Sequence, residues 1–205
     1  MIKQATSVSD LQEALKFLPT IMGDVEYFVF FGTLLGLTRD GIPIENDDDI
    51  DCYVNVSHQS KLIDNLTEHG IEIDQRLPWN RTEHFFQVFL QTDMNKIAVD
   101  FYFYDTHIDG DYIWEKWNFH GSPSENRTWM KIPKPFIFPI QHETFENIIV
   151  PVPNKKKLTC EWLYGSSWKT PKKKKLEYQI NVFSGRPIMF ERDIKSAKKE
   201  FNFIP

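Results

Sequence analysis

The sequence predicts an α+β fold in which helices flank a mixed β-sheet. Three observations carry this: an N-terminal segment with apolar residues at helical spacing, two short and almost unbroken aromatic and β-branched runs after it, and several strand-like runs in succession through the middle of the chain. With 205 residues, 41% of them hydrophobic and 15% aromatic, the chain is expected to form a single domain, 1–205, around a sizeable core. No repeat, low-complexity linker or break in composition suggests a second.

In the first element Leu11, Ala14, Leu15, Leu18 and Met22 recur at helical spacing, with Ser9 or Asp10 as the cap and Gly23 as the stop. "EYFVFFG" follows as a strand buried on both faces and ended by Gly32. "TLLGLTR" makes a helical turn or two, "DGIPIEN" a loop, and "DDIDCYVNV" the second strand. Ser57 can cap a helix through "HQSKLIDNLTEHG", with Leu62, Ile63 and Leu66 as its stripe and Gly70 at its end. Strands are expected at "IEIDQRL", "HFFQVFLQ" and "KIAVDFYFYD", then an Asp109-Gly110 turn into "DYIWEKW". The proline-punctuated stretch from Pro133 to Pro153 reads as irregular, "NKKKLTCEWLYG" as a helix closed by Gly165, and the tail as basic and amphipathic.

Twenty-four basic against 29 acidic residues leave a net charge of −5, which argues against a general nucleic-acid or membrane surface binder. Cys52 and Cys160 are the only cysteines and show no metal spacing, so neither a disulfide framework nor a structural zinc is expected. The N-terminus lacks the apolar core of a signal peptide, and no run approaches the roughly 18 apolar residues of a membrane helix, so a cytoplasmic protein is expected. The lysine runs Lys155 to Lys157 and Lys172 to Lys175 read first as solvated faces; the sharper alternative is peripheral contact with an anionic membrane or lipid-linked acceptor.

The chemistry gathers in "DDDID", residues 47–51. Residues two apart on a strand share a face, so Asp49 and Asp51 aim together while Ile50 and Cys52 turn into the core. Two adjacent carboxylates raise one another's pKa unless a cation lies between them, and a hard divalent metal meets that need. Asp100 stands inside the otherwise apolar run "KIAVDFYFY", where an unpaired carboxylate would be costly. Beside the Asp49/Asp51 strand it would be a third ligand or a base; on an edge strand it would simply face solvent. Gly32 and Thr33 form either a tight turn or a site where the backbone, a hydroxyl and a helix N-terminus meet phosphate oxygens.

Taken together, "FGTLLGLTRDGIPIENDDDID" resembles the signature of LicD-type proteins, a nucleotidyltransferase-fold group that includes bacterial phosphocholine transferases and fukutin-related enzymes. A second block, "IFPIQHETFENIIVPVPNKKKLTCEWLYGSSWKTP", is similar to the family's later motif through Phe138-Pro139, Val152-Pro153, Tyr164-Gly165, Trp168 and Pro171. The resemblance implies that Asp49 and Asp51 are the metal-binding D-x-D, that Asp100 is the acid of a later strand, and that all three are catalytic and metal-ligating. It further implies substrate contacts at Gly32, Thr33, Arg39 and, within the acidic run, Asp48. The implied activity is Mg²⁺-dependent transfer of a phospho-alcohol, phosphocholine or a polyol phosphate, from a CDP-activated donor to a sugar hydroxyl of a surface glycan or glycolipid, with Mn²⁺ as an alternative cofactor. Two other readings stay open: a nucleotidyltransferase that releases pyrophosphate from a nucleoside triphosphate, and a non-catalytic nucleotide-binding scaffold. Glu45-Asn46 replaces the Pro-Trp or Pro-His usual before the acidic run, and Ser167 stands where an acid often precedes the tryptophan; both bear on substrate identity.

Overall fold

The computed structural model describes residues 6–75, 80, 84–106, 110–115, 130–171, 180–181 and 187–188. Asp109 and the run Lys172 to Lys175 lie outside them.

Helix α1, Val8–Met22, buries Leu11, Ala14, Leu15, Leu18 and Met22 as their spacing requires. Its cap is Ser7, two residues before Ser9 and three before Asp10: the Ser7 hydroxyl accepts from the Asp10 amide, and the Asp10 carboxylate accepts from the Ser7 amide at 3.1 Å. Such reciprocal capping contributes about 1 kcal/mol. Asp10 also accepts from Thr92 and Asn95 in the turn between two later strands, so the helix start is tied to the sheet. These bonds, with Ser7 foremost, hold its carboxyl down at about 2.

Strand β1, Tyr27–Val29, is three residues long and fully buried. It ends before Gly32, which lies instead inside helix α2, Phe31–Arg39. Strand β2, Asp49–Asn55, pairs antiparallel with β1 and parallel with β4, Lys96–Asp105. The other edge of β4 is shared by β3, Phe85–Gln91, along its first part and by β5, Tyr112–Glu115, at its end; β6, Met130–Pro133, pairs with β5. The result is the expected mixed sheet. Helix α1 and α3, Gln59–Glu68, pack together, and Ile50, Cys52, Val99 and Phe101 form core beneath them.

Several local expectations are corrected. The turn before α3 is a short 3₁₀ segment, Val56–His58, capped by the Asn55 side chain, which competes with Ser57 by accepting its amide. Ile63 of α3 is exposed, leaving Leu62 and Leu66 as the buried pair. Residues 71–75 of the "IEIDQRL" run form no strand. The stretch after Pro133 is ordered: α4, Lys134–Ile137, precedes a separate hairpin of β7, Gln141–Phe145, and β8, Ile148–Val152. Its two-residue turn, Glu146-Asn147, has φ of 45° and 71°, the geometry of a primed hairpin turn, in a dipeptide that lacks the usual glycine. Helix α5, Lys156–Tyr164, closes at Gly165 as expected and packs on α2.

Gly36 sits where α2 meets the loop that follows it. A Cβ there would lie 2.8 Å from the Ile44 amide nitrogen and 2.9 Å from the Ile42 carbonyl oxygen, both backbone atoms that cannot swing aside. Gly36→Ala is therefore expected to destabilise by about 1–3 kcal/mol. In a chain of this size that lowers the melting temperature by roughly 3–10 °C, readable by calorimetry.

Candidate functional site

Asp51 anchors the site through its backbone and its side chain. Its carbonyl accepts from the Phe30 amide at 2.9 Å, extending the β1–β2 ladder, while its own amide donates to Thr33 Oγ1 at 2.9 Å. The Asp51 carboxylate accepts from the Gly32 amide at 3.0 Å. Phe30, at the helix cap position, makes no side-chain capping bond, so a carboxylate from the neighbouring strand takes over that task and meets the positive end of α2. Gly32 and Thr33 thus act on the acidic site through Asp51, and the Thr33 hydroxyl is buried in doing so.

The turn that makes this possible is strained. Phe31 has φ of 38°, in the left-handed region that a bulky side chain occupies at a cost of about 1–3 kcal/mol. Gly32 has to be glycine for a different reason: a Cβ would lie 2.7 Å from Asp47 Oδ2 and 3.6 Å from Asp51 Oδ2. The two carboxylates lie directly against its Cα.

Parallel pairing sets Asp51 opposite Asp100. One carboxylate oxygen from each of Asp49, Asp51 and Asp100 lies within 4.8 Å of the others, and the same holds for Asp47, Asp48 and Asp49, so Asp49 belongs to both groups. Asp51 and Asp100 are only 6% and 7% exposed, Asp47 is buried, Asp49 is half-buried and Asp48 is exposed. Burial first, then the charges of Asp49, Asp100 and Asp47, push the Asp51 carboxyl well above the ordinary range, against the opposing pull of the Gly32 amide. Such a set of hard oxygen donors, crowded and under mutual repulsion, fits a hard divalent cation.

Three residues around Asp100, namely Gln87, Asn80 and Tyr102, were not anticipated. Gln87 lies opposite Asp100 on β3, and its Nε2 donates to Asp100 Oδ1 at 2.7 Å. Asn80 in turn accepts from the Gln87 amide at 2.8 Å and donates to its carbonyl at 2.9 Å, fixing that strand end. Tyr102, two residues past Asp100, points its hydroxyl at Asp100 Oδ2 from 3.5 Å. The signal for Gln87 was a single polar residue within the apolar run "FFQVF".

The structure brings Asp47, Asp48, Asp49, Asp51, Asp100, Gly32 and Thr33 together. Arg39 stands in the last turn of the same helix as Gly32 and Thr33, about 12 Å along the axis from Phe31. There its guanidinium pairs with Asp40 at 2.6 Å. Among the described residues no helix is long and apolar enough to cross a membrane.

Residues 24–155 match the family described as LicD/FKTN/FKRP, nucleotidyltransferase domain. That span holds the whole acidic cluster and ends within the second sequence block. No curated protein matches the chain. Among solved structures, the crystal structure of the lincosamide antibiotic adenylyltransferase LnuA, bound to lincomycin, is similar at 16% identity over 71% of this chain and 81% of that one, with a TM-score of 0.46. With well over half of its length matched and Asp49, Asp51 and Asp100 assembled beside Gly32, the chain belongs to the LicD/FKTN/FKRP nucleotidyltransferase-domain family of transferases.

Proposed function

We propose that this protein transfers a phospho-alcohol group, phosphocholine or a polyol phosphate, from a CDP-activated donor to a sugar hydroxyl of a surface glycan. The observation that carries this reading is the convergence of Asp49, Asp51 and Asp100 at the start of α2 in a chain of this family. These three carboxylates would hold Mg²⁺, or Mn²⁺ in its place, and the bound ion supplies neutralisation of charge on the donor diphosphate.

The remaining work falls to the chain. The Gly32 amide and Thr33 hydroxyl hold Asp51 in place, and glycine at 32 leaves room for the Asp47 carboxylate. Asp48, exposed beside Asp47 and Asp49, would meet incoming substrate. The sugar oxygen would attack the alcohol-bearing phosphorus as its anhydride bond to CMP breaks, the electron pair leaving with CMP and the hydroxyl proton passing to Asp100. Gln87 holds the other oxygen of Asp100 and fixes its orientation. A cytoplasmic location, with peripheral membrane contact through the lysine runs, belongs to the same reading.

The test offers CDP-choline, CDP-glycerol, CDP-ribitol and the four nucleoside triphosphates, each with Mg²⁺ and a crude glycan acceptor, and follows products by phosphorus NMR beside Asp49→Asn. CMP released only from a CDP-alcohol, and lost in the variant, is the expected outcome. Pyrophosphate from a triphosphate would replace this reading with nucleotidyl transfer, and no turnover with any donor would leave a binding scaffold. A supporting prediction concerns Gln87→Leu, which should weaken Mg²⁺ affinity about 10- to 100-fold by calorimetric titration, as loss of a partner that orients a metal ligand does.

A further inference from the structure

We infer that Phe31 and Tyr102 seat the nucleobase of the donor, their rings forming a stacking ledge at the edge of the acidic cluster; this rests on the nucleotide donor proposed above. Tyr102 shares a strand face with Asp100, two residues away, and its hydroxyl points back toward that carboxylate. Phe31 immediately precedes Gly32, whose amide holds Asp51. The two rings meet edge to face, with centroids 5.1 Å apart and planes at 71°. Both therefore stand directly beside the atoms that would hold the diphosphate.

Exposure separates these two rings from their neighbours. Phe28, Phe30 and Tyr53 are fully buried, and Phe30 stacks on Tyr53 at 4.1 Å. Phe85, also buried, braces Tyr102 at 4.9 Å. Phe31 and Tyr102 alone of this aromatic group are half-buried. Both rings pack on the core behind them, Phe31 on Phe30 and Tyr53 and Tyr102 on Tyr53, and each keeps part of its surface in water next to the carboxylates, Phe31 on a left-handed backbone. An edge-to-face pair leaves ring surface on which a flat heterocycle can lie, and stacking of this kind is tolerant of base identity.

The test is calorimetric titration of CDP, and separately of inorganic pyrophosphate, each with Mg²⁺, into the wild type, Tyr102→Phe, Tyr102→Leu and Phe31→Leu. Tyr102→Phe should keep CDP affinity, whereas Tyr102→Leu and Phe31→Leu should lose on the order of ten-fold. Pyrophosphate should bind all four proteins alike. Equal loss of both ligands would make Tyr102 a prop for Asp100 and overturn the inference, as would unchanged CDP binding, or a wild type that binds CDP no better than pyrophosphate. In case Tyr102→Leu fails to fold, the wild type supplies a second measurement: the cytosine H5 and H6 resonances of bound CDP should move upfield under the ring currents, and their failure to move overturns the ledge. Turnover is read separately. A protein that stacks CDP without releasing CMP keeps the ledge and loses the proposed reaction, and one that turns over a CDP-alcohol without the upfield shift does the reverse.

Discussion

Asp51→Asn is expected to lower transfer by on the order of 10²–10³-fold or more and, in the absence of metal, to raise the melting temperature. The two effects have one cause. Asp51 is buried against Asp47, Asp49 and Asp100, and burial together with those charges holds its carboxyl well above the ordinary range. Asparagine has nearly the same shape, can still accept from the Gly32 amide, and carries no charge. Relief of even 1–2 kcal/mol of repulsion corresponds to roughly 2–8 °C at this chain length. The sign with pH follows. A carboxyl whose folded pKa is raised adds stability that is fully present below the unfolded value and is lost as pH climbs through the folded one. The metal-free wild type should therefore weaken as pH rises from about 4, while the variant lacks that component of the slope. Saturating Mg²⁺ should reverse the ranking, because only the wild type retains the full set of ligands and gains stability by mass action. Thermal melts of both proteins across pH, with and without Mg²⁺, check all three statements; a metal-free variant that melts below the wild type would contradict the account.

Gly32→Ala should separate activity from stability in the other direction from Gly36→Ala. The added Cβ meets Asp47 Oδ2 at 2.7 Å, the end of a side chain that can swing, and no backbone atom is among its close neighbours. The fold is expected to survive, helped by the better helix propensity of alanine inside α2. The carboxylate must move by several tenths of an ångström, and a displacement of that order in a charged reaction site costs about 10- to 100-fold in kcat. A melting temperature within a few degrees of wild type beside that loss is the expected pair of results. Full activity would show that Asp47 need not stay against the helix start.

The strongest part of the site was legible because it obeys a short-range rule. Two-residue periodicity placed Asp49 and Asp51 side by side without any knowledge of the sheet. Asp100 could be suspected only from its cost inside an apolar run; its meeting with Asp51 depends on which strands pair and in what register. Gln87 was hidden for the same reason, since its role exists only opposite Asp100. Gly32 was noticed as a turn glycine, but the contact that requires it comes from Asp47, fifteen residues on. The hairpin of β7 and β8 escaped because prolines at 135, 139, 151 and 153 break the pattern, and a two-stranded ribbon tolerates them. Ser7 lost out to Ser9 and Asp10 as a cap because the three lie within one turn, and only the reciprocal bond with Asp10 decides among them.

The pairing of β2 with β4 also has a kinetic consequence. The hairpins β3–β4 and β7–β8 join neighbours in the chain, but Asp51 and Asp100 meet across the one parallel pair among the described strands of the large sheet, 49 positions apart (100 minus 51). Closing so long a loop is entropically slow, and here the closing partners carry like charge. Partly folded chains with every local hairpin in place would still have no reaction centre. Recovery of catalysis during refolding therefore reports the closure of the β2–β4 pair, and counter-ions or protons that quiet the two carboxylates should hasten it.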